Sequence, residues 1–122
     1  MKVTAEKNQK VAEMTFGSIY PLYLNRLEKN GRSQAELNQV IEWLTGFDED
    51  KIQSFINENT TFGEFFKQAK INTNAHLIKG VVCGYRIEEI EDKFDVYKQC
   101  RRMEKLIDEL AKGRKMEKIL RQ

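Results

Sequence analysis

Between Ser33 and Gly46 the chain spells out a complete helix, and this stretch restricts the fold more than any other. Ser33-Gln34-Ala35-Glu36 is a capping box: the serine hydroxyl and the glutamate carboxylate each accept a backbone N–H that the helix start leaves free. Behind it Leu37, Val40, Ile41 and Leu44 recur at i, i+3, i+4 and i+7, so one face is apolar. Gly46 supplies the left-handed residue that closes a helix, and Asp48 caps the next one. A unit of this kind buries its stripe against other helices. The rest of the chain repeats the same grammar.

Ile19, Tyr20, Tyr23, Leu24 and Leu27 predict a helix from about Ser18 to Asn30, with Ser18 as N-cap, Pro21 in the first turn and Asn30-Gly31 as its end. Ile52, Phe55 and Ile56 mark a short face ending near Asn59. Thr61-Phe62-Gly63-Glu64 opens another helix, carrying Phe62, Phe65, Phe66 and Ala69. After a linker at Ile71 to Asn74, the residues Leu77, Ile78, Val81 and Val82 read as a helix entering a second joint at Gly84. Ile87, Ile90, Phe94 and Tyr97 mark the next face, and Met103, Leu106, Ile107 and Leu110 continue it in shifted phase. No proline lies between Arg86 and Lys112, so this is one long bent helix or two abutting near Asp92. Met116, Ile119 and Leu120 form a last amphipathic turn or two after Gly113. Met1 to Met14 has weak periodicity and reads as a mobile lead-in, with residues 15–122 as a single helical domain. The expectation is an all-α fold, a compact multi-helix domain of six or seven helices. Its core takes in Tyr23, Leu27, Leu37, Val40, Ile41, Leu44, Phe55, Phe65, Ile78, Val82, Ile90, Leu106 and Leu110, with Trp43 beside the first joint.

Two internal echoes suggest pseudo-repeated helix–turn–helix units clasped by a long C-terminal helical segment. Trp43 to Ser54 resembles Val81 to Asp92: Gly46-Phe47 corresponds to Gly84-Tyr85, and Ile52 to Ile90, 38 residues further on. Thr15-Phe16-Gly17 corresponds to Thr61-Phe62-Gly63, 46 residues further on.

Charge is uneven around a net +2: the stretch 33–66 holds one base against seven acids, whereas the part from Lys98 onward holds nine bases against four acids. The N-terminus has no apolar core of a signal peptide, and no window approaches the roughly 18 apolar residues of a membrane span. Cys83 and Cys100 lack metal or redox spacing and read as reduced thiols. The expected location is therefore cytoplasmic, with no membrane partner.

Four separated runs, YPLYLNRLEKNGRS, IEWLTGFD, GVVCGYRIEEIED and KLIDELAKGRKMEKILR, look like a family of small bacterial proteins catalogued as domain of unknown function 2200. The resemblance covers about Met14 to Arg121. It implies a compact bacterial cytoplasmic protein, and no activity, cofactor or catalytic residue. Members tend to carry proline after the Glu-Asp pair, where this chain has Lys93.

No catalytic, cofactor-binding or metal-ligating residue emerges from the sequence. His76 is the only histidine, which excludes a site built from several. Read as one helix, His76 and Cys83 stand about 10 Å apart, too far for direct proton transfer. No Walker loop, dinucleotide fingerprint or nucleophile elbow occurs. Leu44-Thr45-Gly46-Phe47 resembles the joints of helix-hairpin-helix modules, which hold DNA phosphates on backbone N–H groups. The second glycine such joints need is Asp48 in the first joint and Arg86 in the second. Nucleic-acid binding would rest on Arg86, Arg101, Arg102, Lys105, Arg114, Lys115, Lys118 and Arg121. Interleaved Glu104, Asp108, Glu109 and Glu117 instead suit a solvated helix. A protein-interaction module, with a protein partner or a homodimer, is the expectation that best fits the amphipathic helices, with nucleic-acid binding the alternative and an enzyme the least supported reading.

Overall fold

The computed structural model describes residues 2–122. It contains seven helices: α1 (Ala5–Glu13), α2 (Phe16–Lys29), α3 (Gln34–Thr45), α4 (Glu49–Asn57), α5 (Phe62–Gln68), α6 (Asp95–Ala111) and α7 (Met116–Ile119). A two-stranded antiparallel hairpin, β1 (Val81–Val82) and β2 (Tyr85–Arg86), lies between α5 and α6.

The expected capping box forms at Ser33 and Glu36, and Gly46 closes α3 at φ 80°. Asp48 accepts the Lys51 N–H at 2.9 Å and starts α4, so the first joint is a helix–turn–helix. At the end of α2, Arg32 N–H reaches Leu27 O at 2.9 Å and Gly31 N–H reaches Glu28 O at 3.2 Å. That paired closure needs Gly31 at φ 76°. Thr15, not Ser18, occupies the N-cap position of α2; the Ser18 hydroxyl donates to Thr15 O from within the first turn, and Pro21 falls one turn deeper than expected.

The second joint is not a helix–turn–helix. Cys83 and Gly84 both have positive φ, 51° and 81°, and form a two-residue hairpin turn between Val82 and Tyr85. The β-branched pair Val81-Val82 favours strand over helix. His76 therefore sits in a 3-10 turn (Ala75–Leu77) and shares no helix with Cys83. Nor does a helix run on from Arg86. Two 3-10 turns, Ile87–Glu89 and Asp92–Phe94, present Ile87, Ile90 and Phe94 to the interior, and α6 begins only at Asp95. Steps of three satisfy a 3-10 turn as well as one face of an α-helix.

The Thr-Phe-Gly echo is real as geometry. Thr15 and Thr61 bridge antiparallel, with Phe16 N–H donating to Thr60 O and Phe62 N–H to Met14 O, both at 2.8 Å. Phe16 and Phe62 are buried edge to face, 5.9 Å apart. A Cβ on Gly17 would stand 2.9 Å from Ile56 O, and one on Gly63 would stand 3.2 Å from Ala12 O. Each glycine thus admits the next-to-last residue of the helix that precedes the other motif.

All thirteen residues expected in the core are buried, and Trp43 packs half-buried against it. α6 crosses the middle, with an apolar face that includes Met103, Leu106, Ile107 and Leu110. Asp108, on its other side, accepts Arg26 at 2.6 Å and Lys112 at 3.1 Å. Burial pushes the Asp108 carboxyl up, but the hydrogen bonds from Arg26 and Lys112 overcome this and hold it below the ordinary range. The unfolded chain then takes up this proton first as pH falls. The contribution to stability is complete above about pH 4 and disappears as pH drops through the lower native value. Asp108→Asn should cost about 1 kcal/mol at pH 7 and nearly nothing at pH 2.5, read by urea unfolding at both. An equal cost at the two values would refute this origin.

Candidate functional site

The hairpin, the two 3-10 turns and the start of α6 meet α1 at a second, smaller apolar cluster of Tyr85, Ile90, Phe94 and Tyr97. Each residue arrives for a local reason. The turn at Cys83-Gly84 reverses the chain and places Tyr85 opposite Val82, and Ile87 N–H closes the hairpin base on Gly80 O at 2.9 Å. The 3-10 turns then direct Ile90 and Phe94 to the same side.

Around Tyr85 runs a polar network. Lys7 of α1 donates to the Tyr85 hydroxyl at 2.8 Å, and the Tyr85 and Tyr97 rings meet edge to face at 5.4 Å. The Arg101 guanidinium lies 4.7 Å from the Tyr97 ring centroid and 5.6 Å from that of Tyr85, donates to the Tyr97 hydroxyl at 2.9 Å, and pairs with Glu104. Beyond it the Cys83 thiol is 3.9 Å from Glu104. The Lys7 ammonium, then the Tyr97 hydroxyl, lower the Tyr85 pKa, whereas burial raises that of Tyr97. Burial likewise pushes up Tyr23 and the inner thiol, Cys100. The phenol of lowered pKa is a possible acid–base group, but its oxygen is already engaged by Lys7.

Beside this network opens a cleft of about 300 Å³ between residues 2–3 and the hairpin. Val3, Tyr85, Ile90 and Phe94 form its apolar lining, and Lys2, Arg86, Glu89 and Glu91 its rim. Two long, exposed ion pairs stand at that rim, Arg86–Glu89 at 3.7 Å and Lys93–Glu91 at 3.8 Å, and such pairs contribute little to stability. A partner can displace them at small cost. Among the described residues no three His, Cys, Asp or Glu side chains converge as a metal site. A shallower concavity at the first joint carries Asp48, Asp50 and Lys51 around Phe47, and its acids would repel a phosphate.

The eight cations singled out from sequence are dispersed. Arg86 stands at the cleft rim, and Arg101 covers the two tyrosines. Arg102 donates to Gln99, and Lys105 reaches Val81 O at 3.4 Å. Arg114 and Arg121 are brought together on the buried carboxylate of Glu109, at 3.0 Å and 2.7 Å. Lys115 and Lys118 are exposed. Sequence reasoning missed Lys2, Val3, Lys7 and Asn8, and it read Glu109 as part of a solvated face where the structure buries it. The hairpin was detectable, because Val-Val, a residue pair ending in glycine, and an aromatic is a hairpin pattern.

Among the described residues no helix is long and apolar enough to cross a membrane. No curated protein matches this chain. The crystal structure of uncharacterized protein SP1917 is similar throughout, with 34% identity, a TM-score of 0.84, and coverage of 92% of this chain and 91% of that one. Residues 10–121 match the sequence model of a bacterial family, and the chain therefore belongs to DUF2200, described as an uncharacterized protein conserved in bacteria.

Proposed function

We propose that the protein is a non-catalytic, cytoplasmic interaction module whose cleft receives an apolar side chain of a protein partner. One observation carries this reading: an apolar lining of Val3, Tyr85, Ile90 and Phe94 lies beneath a rim whose two cations and two carboxylates balance. A balanced rim gives a polyanion no net attraction, while the apolar lining rewards burial of carbon. Three of the eight cations that would track a nucleic-acid backbone, Arg101, Arg114 and Arg121, are committed to Glu104 and Glu109. Free thiols at Cys83 and Cys100 suit a reducing compartment.

A photo-crosslinking amino acid placed at Arg86, compared with one at Lys118, tests this in bacterial cells. The expected result is a discrete protein adduct from position 86 that survives nuclease and is lost when Phe94→Ala is added. Adducts from position 118 alone, or adducts that nuclease removes, would overturn the reading in favour of nucleic acid.

A further inference from the structure

The register of the hairpin leaves each strand with an outward-facing peptide. Val81 stands opposite Arg86, between the turn-closing pair Val82–Tyr85 and the base bond from Ile87 N–H to Gly80 O at 2.9 Å. Backbone bonds alternate along an antiparallel pair, so the N–H groups of Val81 and Arg86 point away from the facing strand. The two edges are treated differently. On the β1 side, Val81 O accepts the Lys105 ammonium of α6 at 3.4 Å. On the β2 side, Arg86 is the N-cap of the 3-10 turn Ile87–Glu89, which engages its carbonyl. Among the described residues no backbone carbonyl accepts the Arg86 N–H. Arg86 is exposed, so this donor is left to water. The same residue lines the apolar cleft, with residues 2–3 on the opposite side.

We infer that the cleft takes its partner as an added strand: an extended peptide segment lies along β2, one of its main-chain carbonyls accepts the Arg86 N–H, and an adjoining apolar side chain enters between Val3, Ile90 and Phe94. This rests on the cleft reading and states the form its occupant takes. An apolar group seated in the cleft strips water from the donor beside it. A buried N–H without an acceptor costs about as much as a lost hydrogen bond, so the occupant has to bring an acceptor next to its apolar group. A helix does not, because its carbonyls are engaged by its own N–H groups except in the last turn. An extended chain carries free carbonyls along its length, and its side chains alternate, so one enters the pocket while its neighbours stay in water. The rim sets Lys2 and Arg86 against Glu89 and Glu91, which suits a segment without net charge.

Proline isolates the donor. Arg86 has φ −87°, close to the range a proline ring imposes, and an edge strand tolerates proline where its N–H faces outward. Arg86→Pro removes the N–H together with the side chain, whereas Arg86→Ala removes the side chain alone. A photo-crosslinking amino acid at Lys93, beside the rim, is introduced into the full chain and into both variants in bacterial cells. The protein adduct should stay within about twofold in Arg86→Ala and fall about tenfold in Arg86→Pro. Equal yields from the two variants would overturn the added strand and leave the cleft reading standing. No adduct from any of the three chains would remove the cleft reading, and the strand with it. Hydrogen exchange with Arg86 intact makes the test independent of how the proline variant folds. In the purified adduct the Arg86 amide should exchange about tenfold more slowly than in the free chain, and an unchanged rate would overturn the inference.

Discussion

Phe65→Ala is expected to destabilise the protein by about 3–5 kcal/mol, the upper range for emptying an aromatic site in a core. Phe65 is fully buried and its ring is the hub of six phenyl groups. It stacks on Phe16 at 4.5 Å and meets Phe66 at 4.9 Å, Phe47 at 5.0 Å, Phe55 at 5.2 Å and Phe62 at 6.2 Å. These rings come from α2, α4, α5 and the first joint, so no single element can move to fill the void. A domain of this size is stable by about 5–15 kcal/mol, so the loss would take at least about a fifth of it. Phe65→Leu should recover roughly half. Urea unfolding at pH 7 reads both, as a lower midpoint with an unchanged slope. A loss below about 1 kcal/mol for the alanine variant would mean that the rings close over the gap.

The second large effect is expected at Glu109. Its buried carboxylate takes two bonds from Arg121, at 2.7 and 2.8 Å, and one from Arg114 at 3.0 Å. Glu109→Ala would leave the mostly buried Arg121 guanidinium without a counter-charge, at a cost of about 2–4 kcal/mol, since the half-exposed Arg114 recovers hydration. The damage should be local before it is global. α7 is one turn long, and its only fully buried residue is Ile119, so the clasp on Glu109 is what holds it against α6. Hydrogen exchange should show amides 116–120 losing protection while α3 keeps its own. Uniform loss across the chain would refute the clasp. Glu109→Gln retains the shape without the charge and should fall between.

The helix stripes were legible because burial selects them one element at a time. Leu37, Val40, Ile41 and Leu44 face inward as their spacing required, and Ser33 and Glu36 close the capping box they spelled. The region from Val81 to Phe94 was misread as helix because steps of three such as Ile87 to Ile90 suit a 3-10 turn as well, and because the turn pair Cys83-Gly84, which makes Val81-Val82 a strand, was read as a helix joint. α1 was opaque for a different reason. Its own sequence is polar, and its inward face acquires meaning only against Tyr85 and Tyr97, supplied some eighty residues later. Of the candidate site, Arg86 was visible as the base that stands at the second-glycine position of the second joint. The cleft was not, because it exists only where residues 2–3 come to lie along the hairpin.

The bridge between Thr15 and Thr61 also sets a timetable. During synthesis the second strand of the clasp emerges 46 residues after the first, roughly 2–9 seconds at about 5–20 residues per second. The interior remains open longer still, because Met103, Leu106, Ile107 and Leu110 arrive on α6. Phe16 therefore stays open to water at least until Phe62 and Phe65, its ring neighbours across the clasp, have emerged, and until then that ring is surface a chaperone can hold.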